Sequence, residues 1–347
     1  MKNSFEALEN RKKDHLRIAS ELPVSYQAVS NGFERYHFVH NALPEIDLSE
    51  VLTTSEFFGY QLDLPFMICA ISGGESESAR LNQALAEVAQ KERVALELGS
   101  LRPALENPDR ISTYQVAREA APDVPIVANL GAVQLKSEVQ GNRLATLLEK
   151  IGADALSVHL NPMHEALQPE GQTDFRNVSE TIELIKEIIP QPIIVKEVGF
   201  GLSHSVIRKL KKIGVQWIDV AGAGGTSWAR IEEKRAVSPE MSRVAHEFFE
   251  WGIPTAEALV ESVHIRNCHL IASGGIRSGL ECAKALALGA AMVGSAAPIL
   301  TAFKSGGKTA IETMVRSYRE TLRIAMFCTG CSQLEQFRGN SDIIYRR

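Results

Sequence analysis

Residues 192–225 read PIIVKEVGFGLSHSVIRKLKKIGVQWIDVAGAGG. The apolar run from Pro192 to Val198 is broken only by Lys196 and Glu197 near its end. In the segment Ser203 to Ile213 that follows, Val206, Ile207, Leu210 and Ile213 share one helical face, and lysines and an arginine take the other. Gly214 then stops the helix, because glycine accepts the left-handed backbone of a helix C-terminus without strain. A second apolar run, Trp217 to Ala221, leads into the glycine-rich loop Gly222–Ser227. Strand, crossover helix and parallel strand is the unit this stretch spells.

Outward from it the pattern repeats. Strand candidates are Pro65 to Ser72, Val94 to Ser100, Pro125 to Leu130, Ala155 to Asn161, Pro192 to Val198, Trp217 to Ala221, His269 to Ser273 and Met292 to Ser295. Ser179 to Ile189, ending before Pro190, and Gly279 to Leu288, ending at Gly289, are further crossover helices. Eight such strands predict the α/β class and a (β/α)8 TIM barrel. The whole chain, 1–347, reads as a single domain, with a barrel over 65–347 and an N-terminal extension over 1–64. A long insertion, Thr226 to Pro254, follows strand 6. Extra segments at βα loops lie over the catalytic face of such barrels, so both the extension and the insertion are expected to act as lids or substrate clamps.

Of 347 residues, 45% are hydrophobic and the formal net charge is −5. That is enough apolar material for a large core, and it lacks the basic surplus of a nucleic-acid binder. A small anionic substrate needs only a few local cations and stays open. No apolar run approaches the roughly 20 residues that span a bilayer, and the charged stretch Met1–Arg17 has no signal-peptide core. A cytoplasmic protein is therefore expected. Five cysteines form no regular framework, and Cys328-x-x-Cys331 reads as a helix end at Gly330 rather than as half of a zinc site.

The strand ends carry the chemistry, since in this architecture they face the substrate. They are polar and glycine-rich: Ser72-Gly73-Gly74, Ser100 with Arg102, Asn129 with Gly131, His159 with Asn161, Lys196-Glu197, Gly224-Gly225-Thr226-Ser227, Ser273-Gly274-Gly275-Ile276-Arg277 and Ser295-Ala296-Ala297. Glycines let a backbone approach a phosphate closely, and N–H groups at loop and helix starts hold the anion. A lysine ending the fifth strand places positive charge beside the pyrimidine edge of a flavin. In the fourth loop, His159, Asn161, His164 and Glu165 supply diphosphate donors and one hard oxygen ligand suited to Mg²⁺. The cluster Asn10–Leu16 reads, on charge alone, as a solvated run.

Taken together, Arg11-Lys12-x-Asp14-His15, Ser72-Gly73-Gly74, Ala128-Asn129-Leu130-Gly131, His159-Leu160-Asn161-Pro162, Pro169-Glu170-Gly171, Val195–Gly199, Gly224–Trp228 and Ser273–Arg277 resemble the type II isopentenyl diphosphate isomerases, over nearly the whole chain. The resemblance implies an FMN enzyme, its flavin reduced typically by NADPH, that uses Mg²⁺ and assembles as a homo-oligomer, tetramer or octamer. Its substrate is a small prenyl diphosphate, with no nucleic acid and no membrane involved. By position, Arg11, Lys12, Arg102, His159 and Asn161 correspond to diphosphate binders and Glu165 to the metal ligand. Ser72, Ser100, Asn129, Lys196, Thr226, Gly275, Arg277, Ala296 and Ala297 correspond to FMN contacts. His164 and Lys196 are the candidate catalytic residues.

The chain departs from the family pattern at Ile71, Leu101 and His164, where methionine and two glutamines are usual. Histidine for glutamine exchanges a neutral amide for an imidazole that can carry a proton. Three other readings remain: a paralogue using the same flavin and diphosphate sites for different chemistry on a related prenyl diphosphate, a flavin-binding scaffold without turnover, and a 2-hydroxy-acid oxidase. The last usually needs a histidine base near the late-strand arginine, and none stands near Arg277.

Overall fold

The computed structural model describes residues 2–71, 76–138 and 142–347. Eight parallel strands close into a barrel in sequence order, with the last pairing to the first through Val293 to Phe66, Gly294 to Met67 and Ser295 to Ile68. They are β1 (Phe66–Ile68), β2 (Ala95–Ser100), β3 (Ile126–Gly131), β4 (Ala155–His159), β5 (Ile193–Lys196), β6 (Trp217–Asp219), β7 (His269–Ala272) and β8 (Met292–Ser295). Seven of them match an expected run to within two residues at either end, and β1 ends four residues short of Ser72.

Period-two alternation sorts every strand into two faces. Leu96, Ile126, Leu156, Val195 and Ile218 join the large outer core beneath the helices. Met67, Ala95, Val127, Ala155, Ile194, Ile271 and Met292 fill the barrel interior. The crossover helices obey their sequence signals. The helix His204–Lys212 starts at the Ser203 cap and buries Ile207 and Leu210, and Gly214 follows with φ +80°. The helix Gly279–Ala287 opens with a capping box between Ser278 and Glu281.

The N-terminal extension divides between the two ends of the barrel. Helix α1 (Lys2–Glu21) lies over the C-terminal mouth, where Ile18 is buried with Val24 and Ile231. That burial contributes on the order of 2 kcal/mol. The chain then runs along the glycine loops. Tyr26 N donates to Gly225 O at 3.0 Å and Ser227 N to Val24 O at 2.8 Å. Asn31 Nδ2 donates to Gly275 O and to Glu281 Oε1, both at 2.7 Å. Further on, the hairpin Ser55–Phe57 and Tyr60–Leu62 seals the opposite end. Phe57 and Leu62 complete the interior core, and Phe57 meets Trp217 edge-on at 4.9 Å.

The insertion after β6 does cover the mouth. It folds as α3 (Trp228–Arg235) and α4 (Pro239–Glu247), and it packs on the short helix α2 (Pro162–Leu167) after β4 through Met163, Leu167, Phe200, Ala229 and Ala245. The free thiols Cys328 and Cys331 sit at a helix end beside Gly330, whose φ is +76°.

Candidate active site

In six of the eight strands the inward face turns from apolar to polar one step above the interior core. Ala95 gives way to Glu97, Val127 to Asn129, Ala155 to Ser157 and His159, Ile194 to Lys196, Trp217 to Asp219, and Ile271 to Ser273. All of these polar groups are buried except His159, which is nearly so. Lys196 Nζ lies 3.3 Å from Glu97 Oε2 and 3.2 Å from Asp219 Oδ2. Burial would lower the lysine's pKa, but Glu97 and then Asp219 outweigh it, so the ammonium stays charged. An ammonium has three donors. Two carboxylates leave one for the cavity that Lys196 lines.

From there the network fixes a tautomer. Glu97 is held ionised: burial opposes it, and Lys196, Ala70 N and neighbouring side-chain donors prevail. Asn129 Nδ2 donates to Glu97 Oε1 at 2.8 Å, so Asn129 Oδ1 is the acceptor facing His159 Nδ1 at 2.8 Å. His159 therefore carries its proton on Nδ1. Burial first, and Lys196 second, push its pKa down to about 4.

Above this floor a cavity of about 790 Å³ opens, with two poles. One is built from the endings of β6, β7 and β8. Gly274 has φ +97°, and a Cβ there would stand 2.1 Å from Gly222 O; a Cβ on Gly225 would stand 2.6 Å from Gly275 N. Only glycine permits this approach of two loops. Among the described residues no acceptor takes the N–H of Gly274 or Gly275. The helix Ala297–Phe327 begins alongside them, and the first N–H groups of a helix have no partner within it. Arg277 Nη1 donates to Gly224 O at 2.8 Å, so this arginine braces the loops.

The other pole, across the mouth, is built from the endings of β2, β3 and β4 and from α1. Arg11, Lys12, Arg102, His159, Asn161, Glu165 and Gln168 line it. Burial, then the neighbouring charge of Arg102, hold the Arg11 guanidinium below its usual value. An anion between the two would relieve that repulsion. Glu165 is buried; Oε1 accepts from Asn161 Nδ2 at 3.0 Å, and Oε2 from Gln168 Nε2 at 2.7 Å and Gln172 N at 2.6 Å. Gln168 Oε1 is buried with no hydrogen-bond partner among the described residues.

At the rim, His15 Nε2 and His164 Nε2 both meet Glu232 Oε1, at 2.7 and 3.0 Å. His164 stacks on Trp228 with ring centroids 4.3 Å apart. Burial, partly offset by the Glu232 hydrogen bond, lowers the His15 pKa to about 4.

Two isopentenyl-diphosphate delta-isomerases match almost end to end. That of Pseudescherichia vulneris is 43% identical over 346 residues, 99% of this chain and 98% of that protein. That of Synechocystis sp. is 44% identical over 333 residues, 96% and 95% of the two. The chain belongs to the isopentenyl-diphosphate delta-isomerase family. The family model described as FMN-dependent dehydrogenase matches residues 132–344, more than half of the chain. A solved flavocytochrome b2 variant with sulfite bound shares the fold at TM-score 0.71 and 18% identity, over 99% of this chain and 85% of that one. A mandelate oxidase variant does so at 0.64 and 19%, over 94% of each.

The site residues expected from the isomerase motifs meet in one cavity: Arg11, Lys12, Ser100, Arg102, Asn129, His159, Asn161, His164, Glu165, Lys196, Thr226, Gly275, Arg277, Ala296 and Ala297 all line it. Ser72 falls outside the described residues. Glu97, Asp219 and Glu232 went unread. Glu97 and Asp219 are charged residues set inside apolar strand runs, which is a signal in itself; Glu232 sits in the charge-rich run Arg230–Arg235 and carries none.

Proposed function

We propose that this chain interconverts isopentenyl diphosphate and dimethylallyl diphosphate by adding a proton to one carbon and removing one from another. It uses reduced FMN and Mg²⁺, with NADPH as the flavin's reductant. The observation that carries this reading is the pair of anion poles facing each other over a buried polar floor. The glycine pole, with Thr226, Gly275, Arg277, Ala296 and Ala297, fits a terminal phosphate, because its amides are unpartnered and a Cβ is excluded. Ser100, Asn129 and Lys196 line the cavity at its floor and would hold the flavin ring, and Ser72 is assigned to the same role from its motif. When bound and reduced, FMN supplies an electron-rich face for positive charge developing on the substrate.

Arg11, Lys12, Arg102, His159 and Asn161 hold the diphosphate. Glu165 with the orphaned Gln168 oxygen is an all-oxygen pair that suits Mg²⁺, a cation that shares its ligands with phosphate and water. Neutral His159 presents an Nε2 lone pair, so it donates to a diphosphate only after taking a proton, which the dianion's own charge favours. Lys196 keeps its proton and would offer its third N–H to a ring bound there. His164, with a proton path to Glu232 Oε1, and Lys196 are the proposed catalytic residues. Helix α1 excludes water from the mouth, so that 1–64 and 65–347 work as one FMN-binding domain with α1 as the clamp. The same reading takes the protein as cytoplasmic and as a tetramer or octamer. No described helix is long and apolar enough to cross a membrane.

The test is an anaerobic assay of the FMN-loaded protein with isopentenyl diphosphate, Mg²⁺ and NADPH, followed by proton exchange and product ratio. Turnover that disappears when the flavin is oxidised is expected. A protein that takes up FMN and binds the diphosphate without isomerising it would favour the second reading, a paralogue acting on a related prenyl diphosphate, for which the imidazole at position 164 is the motive.

A further inference from the structure

Three ligand-bearing side chains converge at the rim from three separate elements. His15 comes from α1, His164 from α2 and Glu232 from α3, and their ligand atoms all lie within 4.8 Å of one another. Both imidazoles direct Nε2 at the same carboxylate oxygen, Glu232 Oε1, while Oε2 is held by Arg235 Nη1 at 2.7 Å. Arg235 thus leaves one oxygen of the carboxylate for the two rings. The rings are also fixed against Trp228, His164 by stacking and His15 edge-on at 5.1 Å.

Without a cation, a single oxygen serves two N–H donors. Moving each ring's proton from Nε2 to Nδ1, with no net loss of protons, turns the same atoms into two nitrogen lone pairs and one oxygen facing a common point. Two imidazoles and a carboxylate suit Zn²⁺ and similar transition-metal dications, with a further position left for water. The all-oxygen surroundings of Glu165 do not. An outer hydrogen bond from Arg235 to the carboxylate is the kind of support that orients a metal ligand.

We propose that His15, His164 and Glu232 form a transition-metal site, separate from Glu165, that takes Zn²⁺ or a similar dication and latches α1 across the mouth of the cavity. His15 and Arg11 are four residues apart on α1 and so share a face. A cation on His15 therefore also fixes Arg11 against the diphosphate pole. With the ion bound, His164 Nε2 and Glu232 Oε1 are ligands and not a proton path, so the metal-bound form is a latched state distinct from the one that turns over; the site stands on these three side chains whether or not the chain isomerises its proposed substrate.

The FMN-loaded protein, stripped with a chelator and desalted, is titrated with Zn²⁺ alone by calorimetry, in excess Mg²⁺. One Zn²⁺ per chain is expected. Affinity should fall roughly a hundredfold or more in His15→Gln and in His164→Gln, since losing even an outer-shell partner weakens such sites ten- to a hundredfold. No binding by the wild type, or binding unchanged in both variants, overturns the proposal. So does binding that persists in them and vanishes in Cys331→Ser, which would place the ion on the thiols. A second measurement needs no variant: Zn²⁺, and not Mg²⁺, should slow proteolytic cleavage within α1 of the wild-type protein. Equal cleavage with either ion overturns the latch.

Discussion

On the β6–β8 side of the mouth the anion-binding groups are backbone amides, locked in place by glycines that admit no side chain. On the β2–β4 side they are side chains, delivered by elements as far apart in sequence as Arg11 and Arg102. The first pole is rigid because its two loops touch backbone to backbone, Gly225 against Gly275 and Gly274 against Gly222. The second owes its form to α1 docking over the barrel, and it sets Arg11 near Arg102, a repulsion that Glu170 offsets only in part and that a bound anion would relieve. A backbone pole can be broken only by changing glycine. A side-chain pole can be retuned one residue at a time, and His164, the departure from the family pattern, stands on that side.

The largest effect should come from Gly274→Ala. Its φ of +97° costs a non-glycine residue roughly 1–3 kcal/mol, and the new methyl would stand 2.1 Å from Gly222 O. The loop must move, taking the amide donors with it. We expect at least a hundredfold loss of FMN affinity in a protein whose circular dichroism still shows the barrel. Retained FMN at wild-type affinity would remove the glycine pole from the flavin site.

The floor joins the two poles, and His159 tests it through pH. Its folded-state pKa, about 4, lies below the ordinary 6.5, so the unfolded chain takes up the proton first. Stability from this group is whole above pH 6.5 and is lost as the pH falls from 6.5 to 4, by on the order of 3 kcal/mol. Denaturant midpoints at both ends of that window should converge by that amount in His159→Asn relative to wild type. An equal acid loss in both proteins would mean that His159 is not held neutral by the floor.

Arg11→Ala probes the side-chain pole alone. Charge-assisted contacts between arginine and phosphate contribute about 2 kcal/mol when shielded from water, which corresponds to roughly a thirtyfold rise in KM. The flavin spectrum should not change. Unaltered kinetics would return Arg11 to the solvated run that its neighbours in sequence suggest.

The difference between the poles also explains what could be read from the chain. Glycine strings at strand ends are local, so the loops at Gly222–Ser227 and Ser273–Arg277 and all eight strands were legible. Strand limits shrank at their C-terminal ends because the last residues there, such as Val198 and Ala221, belong to the mouth rather than to the ladder. The split fate of residues 1–64 was not legible: short aromatic runs such as Phe57-Phe58 look alike whether they cover a mouth or plug a base. Glu97 and Asp219 are charged residues in apolar strands, and period two places them on Lys196's face once Lys196 is taken as inward. Glu232 could not be found in this way. It is buried where α1 and α2 bring two histidines onto it, a contact spanning 217 residues in the case of His15.

The smallest of the four effects should follow Glu165→Gln, and it separates metal from flavin. Both oxygens of the wild-type carboxylate accept, from Asn161, Gln168 and the Gln172 amide. An amide at this position must point an NH₂ group at one of those donors, and it loses the charge that holds Mg²⁺. Some of the cost is recovered if Asn161 or Gln168 turns its amide, and Mg²⁺ keeps its water and phosphate ligands, so the loss should stay near 1.4 kcal/mol, about tenfold in the Mg²⁺ concentration for half-maximal activity. FMN content and the flavin spectrum should be unchanged, because Glu165 stands on the side-chain pole, across the mouth from the glycine loops. If the variant sheds FMN while Mg²⁺ dependence among the surviving molecules is normal, Glu165 serves to shape the floor, and the two poles are not independent.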